Sequence, residues 1–198
     1  RSSDTPANTA SGQTYGWVTA PDASNWYFTQ DITSRDSVFS EFYTAHFHES
    51  SKITLFDNNH KQVGSFSVKV PEGWKHVADI TPYGPITKKL FDRDEKSNEI
   101  LVEFHDAFNG SNKYLTRAYD INTGEIKFEM EGTGLVFDAS KGWNSYQRLI
   151  MTHESDEKYS IDVIAPPANG QTDWTVEHTF NFDIDNKITY LQGSCFNC

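Results

Sequence analysis

The chain has 198 residues, with 28 Asp and Glu against 17 Lys and Arg and a formal net charge of −11. That charge repels phosphate backbones and anionic headgroups, which argues against nucleic-acid and membrane partners, and no run approaches the ~20 apolar residues of a spanning helix. The apolar material is aromatic, 14 Phe, 9 Tyr and 5 Trp against 2 Met; such side chains suit pleated surfaces, and a mean hydropathy of −0.63 leaves much of the chain facing water.

Residues 1–14 are small and polar without apolar periodicity, and read as a disordered segment left by processing or by a cut within a longer polypeptide. A β domain is expected over 15–198. Its first unit, about 26–70, opens at Trp26-Tyr27-Phe28, has strands at 40–48 and 53–56 and a turn at Asp57-Asn58-Asn59-His60, and ends on the alternating run 63–70. Pro71-Glu72-Gly73 stops it, and 72–85 is the longest irregular link.

The second unit, about 86–130, has strands at 86–92, 100–105, 114–119 and 125–130, with turns at Asn109-Gly110 and at Asp120 to Gly124. The third, about 134–182, has strands at 134–138, 148–153, 159–164 and 174–180, with a loop over 165–170. Ile188-Thr189-Tyr190-Leu191 would open an incomplete fourth unit.

Three apolar runs finish on a histidine followed by a carboxylate: His48-Glu49, His105-Asp106 and His153-Glu154. The spacing, about 50 residues, is that of multi-stranded repeats. The fold expected is therefore all-β, built of repeated four-stranded antiparallel meanders and propeller-like. A two-sheet β-sandwich is the alternative.

The segment Ile86 to Val102, with Leu90-Phe91-Asp92, an acidic loop and a resumed apolar run, resembles a β-strand repeat of large secreted and surface proteins of Bacteroidetes, some of them type IX secretion cargo. Lys52 to His60 and Arg117 to Gly124 are similar to its companion hairpins, so the resemblance covers roughly residues 52–130. It implies an extracellular β repeat and brings no catalytic residues with it.

The three His-carboxylate pairs could converge on a metal, since imidazole with carboxylate is zinc or manganese chemistry. Recurrence once per unit favours a structural device. His46 and His48 share one strand face and form a further candidate pair for a divalent ion. Asp92, Asp94 and Asn98 offer oxygen ligands at alternating positions of an acidic loop and are the candidate calcium ligands, although the Gly and terminal Glu of an EF-hand loop are missing. Cys195 and Cys198 are expected to form a local disulfide or to pair outside this stretch.

No G-x-S-x-G elbow or phosphate loop occurs in the sequence. Trp17, Trp26, Tyr27, Trp74, Tyr83, Trp143 and Tyr146 lie in or beside expected loops, where rings cover core ends or stack on ligands. Trp143, Tyr146, Trp74 and Tyr83 are the candidate ligand-binding residues. The function expected is a non-enzymatic recognition or architectural module, secreted or at the cell surface, binding a glycan or protein partner. It could be part of a longer surface protein. A secreted hydrolase of glycans or peptides is the alternative, and a calcium-stabilised structural repeat a third reading. No cofactor other than calcium is implied.

Overall fold

The computed structural model describes residues 9–40, 43–88, 90–92, 96–108, 112–138, 147–154, 158–168 and 171–183. Twelve strands, and no helix, occur among them. Sheet 1 comprises β1 (Thr9–Thr19), β2 (Asn25–Ser40), β3 (Tyr43–Phe56) and β4 (Gln62–Lys69). Sheet 2 comprises β5 (Val77–Thr87), β6 (Glu99–Asp106), β7 (Lys113–Asp120) and β8 (Ile126–Glu131). Sheet 3 comprises β9 (Thr133–Asp138), β10 (Gln147–Glu154), β11 (Lys158–Ala165) and β12 (Thr175–Asp183). Each sheet is a four-stranded antiparallel meander in sequence order. The all-β expectation holds, and the face-to-face packing is compatible with either propeller-like blades or a sandwich.

The sheets stack in chain order. β5 lies against β1 and β3, and β9 lies against β6 and β7. Alternation along β6 explains how the middle sheet serves two cores. Ile100, Val102 and Phe104 face sheet 1, where they meet Phe28, Ile53, Leu55, Phe66 and Val68. Leu101 points the other way, with Ala118 and Phe128, against Val136, Leu149 and Met151 of sheet 3. A strand covered on both faces loses its apolar-polar alternation, as β6 does over Ile100, Leu101 and Val102 before Glu103. Each buried large side chain in these layers contributes roughly 1.5–3 kcal/mol of transfer free energy.

Turn chemistry fixes the hairpins. Asp57 Oδ1 accepts from the backbone N–H groups of Asn59 and Lys61, both at 2.9 Å, and His60 takes a positive φ of 64°. Asp120 Oδ1 accepts from Asn122 and Thr123 N–H at 2.8 Å each, and its Oδ2 accepts from Ser97 Oγ at 2.8 Å. Gly132 alone joins β8 to β9. Its φ is 114°, and a Cβ there would stand 2.3 Å from Thr152 O, so only glycine makes this corner.

Sheet 1 and the first strand of sheet 2 depart from the expected boundaries: β5 runs over Val77–Thr87, largely inside the expected irregular link 72–85, while residues 90–92 of the expected strand 86–92 belong to no strand. β1 takes in residues 9–14, which the sequence placed in a polar, unstructured start. β3 is one strand of 14 residues where two were expected. His48-Glu49 therefore does not end a strand. It sits inside β3, at the irregularity where Thr33 pairs with Ser50 and Ser34 with His48. His105 and His153 do occupy matching places, each the penultimate residue of the second strand of its sheet. The recurrence is thus topological for two of the three histidines.

Candidate functional site

Strand alternation sends His105 and His153 and the carboxylate after each to opposite faces, and all three histidines find partners across strands. His48 Nδ1 shares a hydrogen bond with Ser34 Oγ at 2.9 Å. His105 Nε2 lies 2.9 Å from Asn112 Oδ1, its Nδ1 is 3.6 Å from Asp79 Oδ2, and its ring stacks on Tyr114 with centroids 4.2 Å apart. His153 Nε2 meets Asp162 Oδ2 at 3.0 Å. Of the carboxylates, Glu49 faces Arg35 at 3.7 Å, Asp106 is buried and Glu154 is exposed. Among the described residues no group of three or more His, Cys, Asp or Glu is placed to hold a metal.

The first groove lies over β7 and β8, where sheet 1 stops short of covering the edge of sheet 2. It encloses about 430 Å³ and is lined by Pro71, Glu72, Trp74, Leu115, Arg117, Glu129, Met130 and Glu131. Cross-strand register builds it: Leu115 faces Glu131 and Arg117 faces Glu129, which puts an apolar patch, a guanidinium and two carboxylates on one surface. The link after β4 supplies the wall. Trp74 N–H donates to Pro71 O at 3.1 Å, Gly73 takes a φ of 85°, and the half-buried indole packs against the first core. Arg117 is held from three sides, by Glu129, by Lys69 O at 3.1 Å and by the Phe104 ring, whose centroid is 5.3 Å from its guanidinium carbon. Its position is therefore fixed before any ligand arrives.

A second groove, about 490 Å³, lies at the opposite flank of the same junction. There the long strands β2 and β3 overhang sheet 2, and Gln30, Ser34, His46 and His48 face Asp79, Thr81 and Pro82 of β5. Gln30 Nε2 donates to Ile80 O at 2.6 Å and its Oε1 accepts from Thr14 Oγ1 at 3.0 Å, which fixes the floor. His46 Nδ1 is 2.6 Å from Asp36 Oδ1. Burial holds the His48 imidazole below its ordinary range, with Asp79 pulling the other way. Burial also pushes the nearby Glu103 carboxyl up, opposed by His105.

Of the candidate ligand-binding residues, Trp74 lines the first groove. Tyr83 does not reach either groove lining; it packs against the core between sheets 2 and 3, and burial pushes its phenol far up. Trp143 and Tyr146 lie outside the described residues, as do Asp94, Cys195 and Cys198. In the acidic loop Asp92 is met by Lys127 Nζ at 3.0 Å, an ammonium beside the expected calcium ligand, and Asn98 O accepts from Ile121 N–H at 2.9 Å. Sequence reasoning missed Arg117, Glu129 and Glu131. Their signal was present as alternation: Leu115, Arg117 and Glu129, Glu131 share a face by period two and pair across adjacent strands. No protein-family model, curated protein or solved structure matches the chain.

Proposed function

We propose that the protein is an extracellular, non-enzymatic recognition module whose first groove takes a neutral glycan. The carrying observation is the meeting of the Trp74 indole with Arg117, Glu72, Glu129 and Glu131 in one open groove. An indole offers an apolar face to the C–H side of a pyranose, while carboxylates and a guanidinium hydrogen-bond its hydroxyls. The pre-fixed Arg117 lowers the ordering cost of binding. Three carboxylates against one guanidinium, on a chain of net charge −11, disfavour anionic polysaccharides. The acidic surface and the resemblance of residues 52–130 to a secreted repeat support the extracellular setting.

The test is calorimetric titration with a panel of neutral gluco-, galacto- and manno-oligosaccharides. Wild type should bind at least one of them. Trp74→Ala should weaken that binding about tenfold or more, which corresponds to ~1.4 kcal/mol. Because Trp74 also touches the core, Glu129→Gln provides a second variant with the indole intact. Binding unchanged in both variants, or no binding by wild type, defeats the proposal.

One observation favours a hydrolase instead: the Ser34–His48 hydrogen bond in the second groove, with Asp79 acting on the same imidazole. Nucleophile and base within hydrogen-bond reach is the signature of an activated serine. Against it, Ser34 pairs with both β1 and β3, so the local backbone N–H groups belong to the ladder and not to an oxyanion cradle. A fluorophosphonate probe that labels Ser34 would establish the hydrolase, and absence of labelling would leave the recognition module.

A further inference from the structure

The histidine ring nitrogens are used in two different ways. His105 and His153 spend Nε2 on Asn112 Oδ1 and Asp162 Oδ2, which ties each ring into its own sheet. His46 and His48 spend Nδ1 instead, on Asp36 Oδ1 at 2.6 Å and Ser34 Oγ at 2.9 Å. Neither of their Nε2 atoms has a hydrogen-bond partner among the described residues. Register explains the pairing. Ser34 lies opposite His48 and Asp36 opposite His46, with no irregularity between the two rungs, so the four side chains share one face of β2 and β3. That face is a wall of the second groove, whose lining includes both imidazoles and Ser34.

The outer partners decide which nitrogen is free to bind. An ionised carboxylate only accepts hydrogen bonds, so a neutral His46 carries its proton on Nδ1 and presents a lone pair at Nε2. Ser34 Oγ accepts as readily as it donates and permits the same tautomer in His48. One ring nitrogen held by an outer partner, with the other left free, is how imidazoles are prepared as metal ligands. The spacing fits as well. Positions i and i+2 of a strand lie about 6.6–6.8 Å apart on one face, a span across which two imidazoles can close on a single ion at ~2.0–2.1 Å each. Charge agrees with this. Asp79 lines the same groove, and the lining contains no lysine or arginine among the described residues. The acidic loop differs, because there Lys127 Nζ already stands 3.0 Å from Asp92.

We propose that His46 and His48 chelate one divalent first-row transition-metal ion through their Nε2 atoms, with Asp36 and Ser34 as the outer partners that fix the rings. Imidazole donors select ions of the zinc and copper kind over calcium and magnesium, which take oxygen ligands. No third His, Cys, Asp or Glu completes a preformed set among the described residues, so water fills the remaining positions on the groove side. The site goes beyond the glycan reading and does not depend on it: the groove beneath Trp74 shares no lining residue with this one.

Zinc chloride is the probe, added to the full chain in competition with a chromophoric chelator and followed in parallel through the nitrogen resonances of the histidine rings. Wild type should take up zinc and ignore magnesium, and the Nε2 signals of His46 and His48 should move while both Nδ1 atoms stay protonated. His46→Gln and His48→Gln should each weaken uptake by at least the ~10–100-fold that loss of an outer partner costs, and Asp36→Ala should fall within that range. The His46 side chain is 62% exposed, so His46→Gln removes a ligand while leaving the core packed. His105→Gln, whose ring binds through the other nitrogen, should take up zinc like wild type. A wild type that takes up no zinc overturns the proposal. Uptake that survives both His46→Gln and His48→Gln also overturns it, by placing the ion elsewhere on the acidic surface. Coordination through Nδ1 overturns the roles given to Asp36 and Ser34.

Discussion

Glu99 accepts a hydrogen bond from Thr87 Oγ1 at 2.7 Å while fully shielded from solvent. The backbone N–H groups of Leu90 and Phe91 also donate to it, at 3.3 and 3.5 Å. One carboxylate thus ties the end of β5 and the following loop to the start of β6. Removing it leaves buried donors without an acceptor, so Glu99→Ala should cost roughly 2–4 kcal/mol in urea unfolding. Burial raises the Glu99 pKa, ahead of the opposing Thr87 bond. Its contribution is therefore fullest below the ordinary glutamate range and is lost as pH rises through the raised value. Glu99→Gln should gain on wild type between pH 4 and 7; a pH-independent difference would show that the group does not titrate in this window.

The corner at Gly132 predicts a sharp contrast between two glycine substitutions. Gly132→Ala places a methyl group against Thr152 O at a φ of 114° and should lower stability by about 3 kcal/mol or more. At Gly12, a Cβ has no heavy atom within 4 Å, so Gly12→Ala should leave the melting temperature nearly unchanged. Equal melting of the two variants would mean the corner relaxes without strain.

His48 should make the fold acid-sensitive. Its pKa is lowered chiefly by burial, so protons bind the unfolded chain more readily than the folded one. The stabilisation is present above the ordinary imidazole value, about 6.5, and is lost as pH falls through that value toward the lowered one. His48→Gln should flatten the decline in stability between pH 7 and 5, read from urea midpoints. A variant whose slope matches wild type would assign the sensitivity to other groups.

His105 combines a stacked ring with two polar partners, and His105→Ala should cost about 1 kcal/mol through lost packing and hydrogen bonding. Ligand binding at the groove beneath Trp74 should be unaffected, because His105 is absent from its lining. Loss of binding with unchanged melting would instead make His105 part of the recognition surface.

Sheet 3 and the last three strands of sheet 2 were legible because they carry β-branched and aromatic runs bounded by Asx and Gly turns, as at Asp120 to Gly124; β5 was not, because Pro82, Gly84 and Pro85 interrupt its apolar period. Nor was sheet 1. The β1 positions that face its neighbour are Gly12, Thr14, Gly16 and Val18, and only the last looks like core. In β2 the inward positions include Gln30 and Ser34, both buried and satisfied by hydrogen bonds, so the hydrophobic period vanishes where the strand overhangs sheet 2. The irregularity at Glu49 then hid the continuity of β3. Trp74 was identifiable as an aromatic in a turn-rich link. Its partners were not, because their convergence depends on how far sheet 1 reaches over sheet 2.

Pairing only between successive strands has a consequence for biogenesis. Each meander can zip up from its own hairpins as it leaves the ribosome, without waiting for distant sequence. The central layer is the vulnerable one. Once Glu131 has emerged, its second face (Leu101, Ala118 and Phe128) stays open to water until β9 to β11 arrive to cap it. Nascent chains stalled at that point are the ones that chaperones should capture, and a polypeptide ending at Glu131 should bind a hydrophobic dye that the whole chain ignores.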